Sequence, residues 1–254
     1  MKTNYQRILA ITAMAVLVAG TTLQASETDE RIESSAQKSY VFKTHLRNDA
    51  VKVAAKDGAV TLSGTVDHDS HKGLAQETVA NLPGVTSVDN RVELKGEHPA
   101  DQSNEWIAMK VKTMLALRRN VSFTNTEVYV EEGIVTLRGE AASEAQKELV
   151  TEYVKDIEGI EGVRNEMTVA ANEKEPEQTL GEKIDDASIT AQVKLALMSH
   201  RSTSALKTSV STKEGVVTLG GQVKNNAEMD LVTKLVTDIW GVRSTVNNMS
   251  VKVS

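Results

Sequence analysis

Asp67-His68-Asp69-Ser70-His71 is the densest run of potential metal ligands in this 254-residue sequence. Carboxylates and imidazoles at that spacing could converge on a divalent cation at a helix start, and a metal-dependent hydrolase is the one enzyme class they would serve. The same residues suit a solvated helix cap, and nothing comparable recurs along the chain, so the sequence favours a cap, with Asp67 or Asp69 as the capping residue, and no metal. Other chemistry lacks its parts. The absence of cysteine excludes disulfides, thiol nucleophiles and Cys-ligated zinc. There is no Gly-x-Ser-x-Gly elbow, no Gly-Lys-Ser/Thr phosphate loop and no His-Glu-x-x-His. His45, His98 and His200 stand apart. The reading is a protein with no catalytic residues, no cofactor and no small-molecule substrate.

A binding surface has better candidates. On a helical wheel at about 100° per residue, Ile107, Val111, Met114 and Leu115 form a core stripe. Trp106, Lys110 and Leu117 fall on its flank, Lys112 and Arg119 lie opposite, and Arg118 points along the core direction at the frayed helix end. An apolar flank with Trp and basic neighbours resembles a membrane-interface surface or a contact for a partner protein. The competing reading is that Trp106 packs against a neighbouring part of the chain. Aromatics make up 3% of residues and the formal net charge is −6, which argues against nucleic acid and limits any attraction to anionic lipid.

The N-terminus has the three regions of an export signal: basic Lys2 and Arg7, an apolar run from Ile8 to Gly20, and the small Ala25 before Ser26. Cleavage after Ala25 is expected, which removes residues 1–25 and leaves 27 basic against 35 acidic residues, a net charge of −8.

The remainder repeats itself. Asp57-Gly58-Ala59-Val60-Thr61-Leu62-Ser63-Gly64 recurs 75 residues later from Glu132, and again 82 residues beyond that from Glu214. Gly84, Gly159 and Gly241 keep the same offsets, as do Asn90, Asn165 and Asn247. Each unit reads as helix, strand, strand, helix, strand. The acidic-Gly pair (Gly58, Gly133, Gly215) suits a two-residue hairpin turn. The glycine closing the second strand (Gly64, Gly139, Gly221) marks a bulge or a close backbone approach. Ser143 with Gln146 and Asn225 with Glu228 have capping-box spacing. The second helices show apolar faces at Leu74, Thr78, Val79, Leu82, then Leu149, Tyr153, Val154, Ile157, then Leu231, Leu235, Val236, Ile239. The first helix of unit one carries Ile32, Ala36 and Tyr40, and that of unit three Ile189, Val193, Ala196 and Leu197. Thr245 stands where the third strand should place a hydrophobe, so a shifted strand is expected in unit three. Trp240, equivalent to Pro83 and Glu158, reads as a hydrophobic cap or a partner contact.

The units run 29–96, 104–171 and 186–254, behind a signal at 1–25 and joined by polar spacers at 97–103 and 172–185. The fold class is α+β: three tandem αββαβ domains, each a small three-stranded sheet with two helices on one face.

Gly58-Ala59-Val60-Thr61-Leu62-Ser63-Gly64 with Gly84-Val85-Thr86-Ser87-Val88-Asp89-Asn90, in triplicate, resembles the BON domain family. That resemblance implies periplasmic residence, envelope or osmotic-stress protection, and binding to phospholipid surfaces or to unfolded envelope proteins. A scaffold bridging folded envelope proteins is the alternative. No catalytic motif comes with the family.

Overall fold

The computed structural model describes residues 19–96, 102–119, 121, 126–170, 184–203 and 207–252, with no side-chain description before Glu27. The expected export signal therefore lies outside the described residues, except that a helix running from Ala19 to Lys38 passes through the expected cleavage point. No helix among the described residues is long and apolar enough to cross a membrane.

Unit one comprises α1 (Ala19–Lys38), α2 (Tyr40–Thr44), β1 (Ala50–Lys56), β2 (Ala59–Val66), α3 (Asp69–Ala80) and β3 (Ser87–Leu94). Unit two comprises α4 (Asn104–Ala116), β4 (Thr126–Glu131), β5 (Ile134–Ala141), α5 (Glu144–Lys155), β6 (Gly162–Asn165) and β7 (Thr168–Val169). Unit three comprises α6 (Asp186–Ser199), β8 (Thr208–Lys213), β9 (Val216–Val223), α7 (Asn226–Thr237), β10 (Ser244–Asn247) and β11 (Ser250–Val251). The class is α+β. In each unit the second strand is central: antiparallel to the first across the hairpin and parallel to the third, which a helical crossover delivers.

The turn chemistry follows from φ. Asp57 and Gly58, Glu132 and Gly133, and Glu214 and Gly215 all have positive φ, as a primed two-residue hairpin requires. In units one and three a carboxylate from the first helix then holds the turn. Asp29 accepts from the N–H groups of Asp57 and Gly58 at 2.9 and 3.0 Å, and Asp186 does the same for Glu214 and Gly215 at 2.7 and 2.8 Å. At Gly221 (φ +113) a Cβ would lie 1.9 Å from the Lys207 carbonyl oxygen, so the close-approach reading of this position is the correct one.

The repeated asparagines lock the third strand to the second helix. Asn165 donates through Nδ2 to the Lys147 carbonyl (2.8 Å) and Thr151 Oγ1 (2.7 Å), and its Oδ1 accepts from Met167 N (3.0 Å). Asn90 and Asn247 make the corresponding sets.

Three local expectations need correction. The first helix of unit one is broken: Ser39 ends α1 and caps α2 by accepting from Phe42 N, leaving Ile32 and Ala36 in the core and Tyr40 half-buried. The N-cap of α3 is His68 rather than Asp67 or Asp69, with no side-chain cap bond. There Asp49 reaches across to accept from Asp67 N (2.9 Å) and to pair with His71 Nδ1 (2.7 Å). The last strand of unit three is not shifted: Thr245 pairs with Val217, as Val163 pairs with Val135. Its hydroxyl finds Thr237 Oγ1 at 3.0 Å, which explains how a polar residue is accommodated there. The boxes at Ser143–Gln146 and Asn225–Glu228 form as spaced.

The cores are shared. Units two and three form one continuous apolar cluster. Unit one has its own, completed by Ala187 and Ala191 of α6. Asp185, counted with the second spacer, caps α6 and accepts from Tyr40 N at 2.7 Å, so that spacer's end is a docking point.

Gly221→Ala should destabilise by about 2–3 kcal/mol through strain against Lys207. Gly73→Ala, inside α3 with nothing within 4 Å of an added Cβ, should stabilise by roughly 0.5–1 kcal/mol. Calorimetric melting of both variants checks the pair.

Candidate functional site

Helix α4 stops at Ala116, with Leu117 as its C-cap. Beyond that point the chain is no longer helical, and the wheel that placed Leu117 on the flank, Arg119 opposite and Arg118 along the core direction does not apply. Those residues instead run alongside the end of α7. Arg118 forms an antiparallel bridge with Ile239, and Ile157 forms one with His200. Arg119 N donates to the Asp238 carbonyl (3.2 Å) and Arg201 N to the Asp156 carbonyl (3.2 Å). Trp240 N donates to the Leu117 carbonyl (3.1 Å) and Glu158 N to the Ser199 carbonyl (3.2 Å).

These bonds form pairs related by the 82-residue offset. Arg118 corresponds to His200, Ile157 to Ile239, Asp156 to Asp238, Arg119 to Arg201, and Glu158 to Trp240. Units two and three therefore meet about a pseudo-twofold axis, each presenting the ends of both its helices to the other. The two arginines that follow the axis repeat the symmetry: Arg119 reaches the Val242 carbonyl (3.3 Å) and Arg201 the Ile160 carbonyl (3.2 Å). Unit one has Lys43, Thr44, Asn81, Leu82 and Pro83 at these positions. Pro83 has no N–H to give, so unit one cannot form the same pairing.

At the axis, Arg118 (1% exposed) meets His200 (3%). Arg118 Nη1 donates to the Leu235 carbonyl (2.6 Å) and Nη2 contacts His200 Nε2 (3.2 Å), while the guanidinium lies 4.6 Å from the Tyr153 ring centroid. Tyr153 donates its hydroxyl to Asp238, and His200 Nδ1 faces Asp156 at 3.4 Å. Burial, with Arg118 alongside, lowers His200 to about 4. Burial and the bond to Asp238 raise Tyr153 well above its ordinary value. Burial also lowers Arg118, opposed by Tyr153 and Asp238. An arginine buried this way organises an interface and cannot meet a membrane.

The remaining candidates are also engaged. Trp106 is half-buried against the core. Lys110 sits 4.7 Å over its ring and 3.3 Å from Glu158, so its charge is already partnered. Lys112 is exposed. The flank expected to receive lipid or a partner is thus largely closed: Leu117 and Arg118 lie between repeats, and Arg119 is tied to Val242 and Asp238.

The hairpin glycines and the asparagines serve the turns and strand locks described above, and Gly84, Gly159 and Gly241 have positive φ and lie against Ile32, Ile107 and Ile189 of the first helices. In the 67–71 run, Lys95 lies 3.7 Å from Asp67, and the rings of His68 and His71 contact edge to face. Among the described residues no three His, Asp or Glu side chains form a group that could hold a metal.

What the helices leave outward is the sheets. On unit two, Tyr129 (51% exposed) and Ile134 (41%) stand beside Thr136 on the face away from the helices. Arg138 lies 5.4 Å from the Tyr129 ring and binds Glu166, and the Tyr129 hydroxyl donates to Glu127. On unit three a shallow cleft is lined by Lys213, Glu214, Val216, Thr218, Arg243 and Ser244.

Comparison with known proteins places a BON domain at residues 28–96, 103–171 and 185–253. The chain is 27% identical over 195 residues to osmotically-inducible protein Y of Escherichia coli K12, covering 76% of this chain and 94% of that protein. It is 27% identical over 147 residues to a 21 kDa hemolysin of Actinobacillus pleuropneumoniae, covering 57% of this chain and 74% of that one. A solved structure of CdsD, a structural protein of the type III secretion system of Chlamydia trachomatis, aligns over 89% of this chain and 92% of that one at 19% identity. The TM-score of that alignment is 0.25.

Arg118→Ala should cost about 3 kcal/mol, because it leaves a buried carbonyl and imidazole without a donor. Lys112→Ala, exposed on the same helix, should cost less than about 0.5 kcal/mol. Denaturant unfolding of the two variants measures the difference.

Proposed function

The chain belongs to the BON domain family, three copies in tandem, and on that premise we propose that it is a non-catalytic envelope protein of osmotic stress that engages other envelope proteins through its outward sheet faces. Export to the periplasm with cleavage after Ala25 is part of this reading, supported by the order of basic, apolar and small residues in the first 25 positions. The osmotic role is supported by the likeness to osmotically-inducible protein Y.

One observation carries the choice of protein over lipid: the helix end bearing Leu117 and Arg118 is buried between repeats, while Tyr129 and Ile134 stand exposed on a sheet. A rigid tyrosine ring and a neighbouring aliphatic side chain, ringed by Glu127, Arg138 and Glu166, match the apolar centre and polar rim of protein contact surfaces. Phospholipid contact would need a basic apolar flank. On α4, Lys110 is held by Trp106 and Glu158, leaving only Lys112 exposed. Catalysis finds no support either, since the cluster of Arg118, His200, Tyr153 and Asp238 is buried in the interface.

Tyr129→Ser combined with Ile134→Ser should reduce suppression of aggregation of denatured envelope proteins at least several-fold. The melting temperature should move little, because both side chains are exposed. The unmodified protein should not float with anionic vesicles even at low salt. Flotation that is lost on Trp106→Ala would reverse the choice in favour of lipid.

A further inference from the structure

The contact between Arg118 and His200 has a fixed polarity. A guanidinium nitrogen only donates, so with Arg118 Nη2 at 3.2 Å His200 Nε2 must accept with its lone pair, and the ring proton sits on Nδ1, facing Asp156 at 3.4 Å. The imidazole is therefore neutral while the interface is closed. Protonating Nε2 removes the acceptor and sets a second cation against a buried one, with Arg118 and His200 exposed by only 1% and 3%.

We propose that Arg118 and His200 form an acid-sensitive latch: with His200 neutral they close the pseudo-twofold interface between units two and three, and its protonation opens that interface.

The groups facing His200 from each side are consistent with this polarity. From the turn after α4 comes Arg118 and, further off, Lys110 from α4 itself, both cationic. From the end of α5 comes Asp156, whose charge favours protonation but is shared with Ser202 and with Arg201 Nε at 3.5 Å. Tyr153 lies under the Arg118 guanidinium and donates a hydrogen bond to Asp238, at the end of α7, which also faces Arg119 Nε at 3.8 Å. The carboxylates thus already have other donors.

The sign follows from linkage. His200 titrates near 4 when buried and near 6.5 when released, so its contribution is fully present above pH 6.5 and declines as pH falls towards 4. Opening should be favoured about 30-fold more at pH 5 than at pH 7.5. A second histidine, the half-buried His45, is also held at about 4, but it belongs to unit one and is not part of this latch.

The test is amide hydrogen exchange on the full chain at pH 7.5 and pH 5, corrected for intrinsic rates. It is read at the four N–H groups that cross the interface: Arg119, Glu158, Arg201 and Trp240. Their opening constants should rise about 30-fold in the unmodified protein and less than about 3-fold in His200→Gln, whose amide can accept from Arg118 and donate to Asp156 without titrating. No rise in the unmodified protein, or an equal rise in both, overturns the proposal. Should His200→Gln not fold, the imidazole resonances of the unmodified protein decide. A neutral ring down to pH 5, carrying its proton on Nδ1, supports the latch, and titration near 6.5 overturns it.

Discussion

A unit of about 70 residues with two helices on one face of a small sheet covers the sheet but leaves the backs of its helices to be buried by something else. Here α6 does that for the whole molecule. Ile189, Val193, Ala196 and Leu197 belong to the core shared by units two and three, whereas Ala187 and Ala191 belong to that of unit one. The two alanines leave room for α3 to approach closely. Ser188, Thr190 and Gln192, polar residues on a buried helix, each have a hydrogen bond: Ser188 Oγ accepts from Val41 N, Thr190 donates to Thr212, and Gln192 donates to the Ser188 carbonyl. A helix buried over most of its surface, with Met198 exposed near its end, ties three domains together.

The contact between units two and three depends on polar pairing to a degree unusual for a core. Desolvating Arg118 and His200 is unfavourable, and an apolar pair of similar volume would serve stability at least as well. What the polar pair supplies is register. Leu235, His200, Tyr153 and Asp238 can all be satisfied only when both helix ends meet in this orientation. Unit one, with Lys43, Asn81 and Pro83 in the corresponding places, has no part in that arrangement and docks through Tyr40 and Val41 instead. The functional consequence is a matter of which surface remains. The ends of the helices of units two and three face inward, and Tyr129 and Ile134 on a sheet remain outward.

Much of the fold is legible in the sequence. Offsets of 75 and 82 residues defined the repeats, acidic-Gly pairs gave the hairpins, and capping boxes gave two helix starts. The break at Ser39 and the pairing of Thr245 with Thr237 were not legible, because each depends on a hydrogen bond whose partner propensity does not reveal. The wheel placed Arg118 along the core direction at a frayed end; its partners across the repeats were not legible, because the helix ends at Ala116. A usable signal was present: Arg119 with Arg201, and Asp156 with Asp238, repeat at the offset of 82, while unit one has Thr44 and Asn81. Opposite charges duplicated in two repeats and absent from the third mark a contact between those two.

The central claim is that units two and three are one cooperative body and not neighbouring beads. The direct measurement is amide exchange in β9 of unit three, in a chain carrying Gly133→Val in the hairpin of unit two. Gly133 has a φ of +75° and an added Cβ would meet Glu161 Cγ at 2.8 Å, so the damage begins wholly within unit two. If the pseudo-twofold interface couples the units, protection of Val217 and Leu219 should fall with that of Val135 and Leu137. Unchanged protection in β9 while β5 opens would contradict the account.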